Sequence, residues 1–139
     1  MRVVISSFAT LAVATLLSLA PAGAGDDAAA AQSVIRAQEQ AFARDDAAVA
    51  YSFAAPAIRN IFPVAEIFMA MVRHAYAPVY RHRSFEFGVT THLSEGRIEQ
   101  RVHIIDADGV AWEALYSLEI EPDGSLKITG CVLSQAIEI

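Results

Sequence analysis

The chain has 139 residues, in which 16 acidic side chains outnumber 10 basic ones for a formal charge of -6. That surplus excludes broad, sequence-independent binding to nucleic acid, which depends on cations displacing counterions from phosphates. Cys131 is the only cysteine, so no disulfide forms within the chain, and the four histidines lack the tight spacing of a metal site.

Met1 and Arg2 precede an apolar run from Val3 to Ala20 broken only by serines and threonines, and Pro21-Ala22-Gly23-Ala24 supplies the small-x-small pattern of a signal-peptidase site. The expectation is a signal peptide over residues 1–24, cleaved after Ala24, and an exported, periplasmic protein with no membrane span once the leader is gone. Residues 25–139 then form a single domain around one core. Cys131 reads as a small buried hydrophobe of the last strand.

Asp26 and Asp27 suit the positive end of a helix dipole, and Val34, Ile35, Gln38, Ala41 and Phe42 follow at helical spacing. Asp45 or Asp46 is placed to cap a second helix through Tyr51, Phe53 and Ala54, which Pro56 ends. Pro63 fits the first turn of a third helix, whose apolar stripe is Val64, Phe68, Met71, Val72 and Ala75 and which stops at Pro78.

Beyond Pro78 the period falls to two. Phe85, Phe87 and Val89 alternate with polar or small residues, as do Ile98, Gln100, Val102 and Ile104, and then Trp112, Ala114, Tyr116, Leu118 and Ile120. A last strand runs from Leu126 to Leu133. Gly96, Gly109 and Gly124 fall in the short turns between strands, which makes the sheet antiparallel. The predicted fold class is α+β, with N-terminal helices packed on a curved antiparallel sheet of about four strands.

These residues also carry a resemblance. Ile35, Gln38, Ala41-Phe42, Asp45-Asp46, Ala50, Phe53-Ala54, Pro56, Ile58-Arg59, Phe62, Phe68, Met71-Val72, Tyr76, Val79 and Arg81 resemble, in their order and spacing, the bacterial family known as domain of unknown function 4864. That family looks like a member of the nuclear transport factor 2-like superfamily. The resemblance covers nearly all of residues 25–139 and implies a cone-shaped domain able to hold a pocket; it implies no activity.

Function must therefore be sought in the residues. The stretch Arg73-His74-Ala75-Tyr76-Ala77-Pro78-Val79-Tyr80-Arg81-His82-Arg83 contains no acid, and between residues 55 and 85 Glu66 alone opposes Arg59, Arg73, Arg81 and Arg83. From Ile104 onward only Lys127 opposes seven acids. In one reading, Arg59 and Arg81 capture a carboxylate or phosphate at the cone mouth while Tyr76 and Tyr80 pack on its apolar part. In the other, Arg73 and His74 complement the carbonyl end of the third helix and the remaining arginines pair with the acidic strands. In the extended register expected here, Arg81 and Arg83 share one face and Tyr80 and His82 the other.

An isomerase or dehydratase needs a carboxylate in an apolar pocket beside a hydrogen-bond donor. Tyr76, Tyr80 and Tyr116 are candidate donors. The acid is missing: Asp45 and Asp46 read as caps, Asp106, Asp108 and Asp123 as turn residues, and Glu86, Glu99, Glu113 and Glu119 as the polar face of the sheet. Gln100 shares an apolar register and reads as an inward amide, able to orient a ligand but not to act as a base. His92 and His103 could meet across a hairpin, without enough partners for a metal.

The resulting expectation is a non-catalytic module, without cofactor or metal, that binds a small anionic or amphipathic ligand or a protein partner through Arg59, Tyr76, Tyr80 and Arg81. The alternatives are a small acid–base enzyme using the cone pocket, and a homodimeric envelope accessory protein using Leu115 and Leu133 on the outer sheet face.

Overall fold

The computed structural model describes residues 24–137, so the expected signal peptide lies outside the described residues up to position 23. Among the described residues five helices precede four strands: α1 (Ala24–Ala43), α2 (Ala47–Ser52), α3 (Pro56–Ile61), α4 (Ala65–Ala75), α5 (Ala77–Tyr80), β1 (His82–Ser94), β2 (Arg97–Asp106), β3 (Ala111–Ile120) and β4 (Leu126–Gln135). The α+β order expected from the change of period is the observed one.

On α1, Ala31, Ile35, Gln38 and Phe42 are buried, a repeat of three and four residues that forms one stripe along a helix. The helix ends in a Schellman arrangement: the Asp45 N–H donates to the Phe42 carbonyl at 3.1 Å and the Asp46 N–H to the Ala41 carbonyl at 2.9 Å. Glycine usually occupies the left-handed position of that motif. Here it is Asp45, at φ 56°. The next residue, Asp46, caps α2 by accepting from the Val49 N–H at 3.1 Å.

The prolines act differently from expectation. Pro56 opens the additional helix α3, where its missing N–H costs nothing. Pro63 precedes α4, whose N-cap is Val64, so it lies outside the first turn. Pro78 sits in the first turn of the short helix α5. Tyr80 thus closes α5 while Arg81 is already extended and β1 begins at His82, so the extended register expected to put Tyr80 on one face with His82 does not reach back to Tyr80.

The sheet is an antiparallel meander in the order β1-β2-β3-β4. Pairings such as Phe85 with Ile104, Val102 with Ala114 and Leu118 with Ile128 turn one face toward the helices, where these side chains join Ile35, Phe42, Phe68, Met69 and Val72 in the core. Irregular register between Phe87 and Thr90 in β1, and beside Ser117 and Leu118 against β4, marks bulges of the kind that bend strands. Gln100 supports the first of them. Fully buried, its amide nitrogen donates to the Gly88 and Arg101 carbonyls at 3.0 and 2.8 Å, and its oxygen accepts from Thr90 and from Gln32. The inward amide is thus committed to backbone and neighbours.

One edge of the sheet is covered by the chain after α2. The Ala55 N–H donates to the Ile128 carbonyl and the Ile128 N–H to the Phe53 carbonyl, both at 2.8 Å, a short parallel bridge that satisfies groups an edge strand would otherwise expose. Leu133, expected on the outer face, pairs with Ala114 and packs against the core; Leu115 pairs with Val132, which is 66% exposed. His92 and His103 do not meet, since His92 pairs with Ile98 and His103 with Glu86. The His103 ring instead lies over Gly88, where an added Cβ would come within 2.6 Å of Nε2.

Candidate functional site

The four residues singled out from the sequence occupy three different environments. Arg59 projects from α3 back onto the end of α2: Nε donates to the Ala54 carbonyl at 3.1 Å, and one terminal nitrogen to the Ser52 and Tyr51 carbonyls at 3.1 and 3.3 Å. Its guanidinium also lies over the Tyr51 ring at 4.9 Å. A cation that satisfies the carbonyls at a helix end acts as a C-terminal cap.

Tyr80 and Arg81 converge on Asp45. The Tyr80 hydroxyl donates to one Asp45 carboxylate oxygen, and an Arg81 terminal nitrogen donates to the other at 3.0 Å. Arg73 approaches the same carboxylate at 3.6 Å, and both guanidiniums lie over the Tyr80 ring, Arg81 at 3.9 Å and Arg73 at 5.5 Å. Arg81 further donates to the Phe42 carbonyl at 2.8 Å. The Tyr80 hydroxyl, then the Arg81 and Arg73 charges, hold the Asp45 carboxyl below its usual 3.8. The anion that these arginines receive is therefore one the chain supplies itself.

Tyr76 is elsewhere. Its hydroxyl donates to the Cys131 carbonyl at 2.8 Å, tying the end of α4 to β4, while its ring lines a partly open cavity of about 250 Å³. Gln38 and Phe42 of α1 form one wall of that cavity. Ile58 of α3, Phe62, and Phe68, Met71 and Val72 of α4 form a second; Val79 of α5 lies beside them, and Tyr116, Ile128, Gly130 and Cys131 of the sheet close the floor. Around Phe68 the rings of Tyr51, Phe42 and Phe62 stand at centroid distances of 5.6, 6.3 and 6.4 Å, an edge-on and tilted cluster that fixes the helical wall.

The cavity is apolar, with few polar groups and no charge. None of its lining residues is lysine, arginine, histidine, aspartate or glutamate. Gln38 donates through Nε2 to the Ala50 carbonyl at 3.1 Å, which leaves its oxygen as an acceptor. Tyr116 is only 2% exposed, and burial raises its hydroxyl well above the usual 10, with Cys131, Glu39 and Tyr76 adding to the effect. Burial likewise pushes the Cys131 thiol up to about 12.

One acid escaped the sequence reading. Glu39 on α1 receives Arg36 at 2.5 Å and stands 3.6 Å from His82 Nε2, whose other ring nitrogen meets the Pro78 carbonyl at 3.0 Å. Arg36 stacks over Phe87 at 4.7 Å and Phe85 at 5.3 Å. The signal was the spacing of Arg36 and Glu39 by three residues on a helix, the range in which side chains meet. Glu39 does not line the cavity, and no carboxylate among the described residues does. The described residues also contain no group of three potential metal ligands, and no helix among them is long and apolar enough to cross a membrane.

A family model described as "Domain of unknown function (DUF4864)" matches residues 24–138. Comparison with curated proteins and with solved structures returned no match.

Proposed function

The chain belongs to the family of domain of unknown function 4864, whose description names no activity, and from the geometry we propose that it is a non-catalytic module that binds a small amphipathic molecule in the cavity beneath α3 and α4. The observation that carries this reading is the uncharged cavity of about 250 Å³, walled by Phe42, Phe62, Phe68 and Tyr76. A smaller apolar cavity of about 150 Å³ already accepts a benzene ring, so the volume suits a compact organic molecule. Helices covering one face of a four-stranded meander support the wider nuclear transport factor 2-like reading and its pocket.

Of the two ligand types expected from the sequence, the amphipathic one fits the cavity, because Arg59 and Arg81 are spent on carbonyls and on Asp45. The test is thermal unfolding of the purified protein against a panel of amphipathic molecules, carboxylates and phosphates. A saturating rise in Tm with an amphipathic molecule, lost in Met71→Trp and kept in Arg81→Gln, is the expected result; at a hundredfold excess over Kd the gain is about 2.7 kcal/mol. Stabilisation by anions alone, abolished by Arg81→Gln, would overturn it.

Export remains part of the proposal, resting on the leader-like residues 1–24; a mature protein whose mass begins at Gly25 is the expected finding. Val132, 66% exposed opposite Leu115, favours a second reading in which the outer sheet face pairs two copies. A monomer by sedimentation at high concentration would remove it.

A further inference from the structure

Among the described residues, Tyr116 is the one cavity tyrosine whose hydroxyl is not engaged. Tyr76 donates to the Cys131 carbonyl, and outside the cavity Tyr51 donates to the Phe62 carbonyl and Tyr80 to Asp45. The Tyr116 side chain lines the cavity at 2% exposure, yet its hydroxyl has no hydrogen-bond partner among the described residues. No described side-chain polar atom is sealed away without a partner, so this hydroxyl keeps access to open space, and among the described cavities Tyr116 lines this one. Gln38 is in the same position. It is 4% exposed, its nitrogen is held by Ala50, and its oxygen has no partner while it too lines the cavity.

A donor and an acceptor that face an otherwise apolar cavity lose free energy when a molecule covers them without completing their hydrogen bonds. Water completes them until a ligand enters. A ligand that enters must replace that water with groups of matching polarity or lose affinity. Charge is a separate constraint. The lining offers no cation to an anion and no carboxylate to a cation, and the nearby Glu39 carboxylate adds a negative field at Tyr116.

Building on the cavity reading, we infer that the site selects an uncharged, largely apolar molecule bearing a hydroxyl or amide group, with Tyr116 donating to its oxygen and the Gln38 oxygen accepting from its O–H or N–H. The ionised form of an acidic ligand is rejected, because it meets no countercharge and loses its solvation. Tyr116 and Gln38 are thus the specificity-determining residues, while the aromatic wall supplies contact area without discrimination.

Three probes of nearly one shape test this at pH 7: para-cresol, para-xylene and para-toluate, titrated into the purified protein and followed by NMR shifts of cavity residues. The expected order is para-cresol about tenfold tighter than para-xylene, with no binding of para-toluate at the cavity. Tyr116→Phe should narrow the gap to about threefold, because Gln38 still accepts from the cresol O–H, and para-xylene should bind no more weakly than before, since no tyrosine-bound water is left to displace. Equal affinities of cresol and xylene in the wild type, or cavity binding of para-toluate, overturn the inference while the cavity reading stands. Failure of all three to shift cavity residues overturns both. If Tyr116→Phe does not fold, the wild-type order decides alone.

Discussion

The carboxylate of Asp45 lies 3.0 Å from the guanidinium of Arg81, across 36 residues of sequence. Asp45 also takes the Tyr80 hydroxyl and holds a left-handed backbone at the end of α1. One residue thus joins the turn between α1 and α2 to the start of the sheet.

Asp45→Ala should lower Tm more than Asp45→Gly, because both lose the ion pair but alanine keeps a Cβ at positive φ while glycine relieves that strain. Thermal unfolding in low salt checks the order; equal losses would show that the left-handed turn contributes nothing to the difference.

Acid should weaken the same junction. A carboxyl depressed in the folded protein contributes stability above its unfolded value of 3.8, and that contribution is lost as the pH falls through the lower folded value. Asp45→Asn should therefore flatten the decline of Tm below pH 4 relative to the wild type. Parallel curves would assign the acid sensitivity to Asp106 or Asp123, which are depressed too.

Arg59→Gln should cost about 2 kcal/mol, since a charged donor to several carbonyls is removed. Because Arg59 stands outside the cavity lining, para-cresol affinity should stay unchanged. Denaturant melts and the titration described above separate these effects.

Gln100→Leu should destabilise by about 3 kcal/mol, because the Gly88 and Arg101 carbonyls lose a buried donor. Hydrogen exchange should rise first around residues 88–90. Uniform loss of protection across the sheet would show that the bulge has no local dependence on Gln100.

Cys131 should be nearly inert. With its thiol raised to about 12, the thiolate available at pH 8 falls by about a thousandfold, and alkylation by iodoacetamide at that pH should run far more slowly than that of a free thiol. Labelling at the rate of a free thiol would contradict the raised pKa of this group.

Much of the fold is local and was legible. The stripe from Ile35 to Phe42, a cap at Asp45 or Asp46, the glycine turns and the alternation of β2 and β3 each depend on residues within a few positions, so their physics is written in short windows. Prolines were harder to read. The same missing N–H that ends one helix begins another, and only the path of the chain beside β4 decides that Pro56 opens α3.

The site divides in the same way. Composition determined that basic and aromatic residues concentrate between 55 and 85, and periodicity placed Tyr116 on the inner face of its strand. Which arginine meets which acid was decided only in three dimensions, because Asp45 reaches Tyr80 and Arg81 through the packing of α1 against α5. Partner choice over such a separation leaves no spacing signal in the chain. The same packing neutralised the arginines and left Tyr116 and Gln38 facing an uncharged cavity, an outcome set by which polar groups find partners and not by which residues are present.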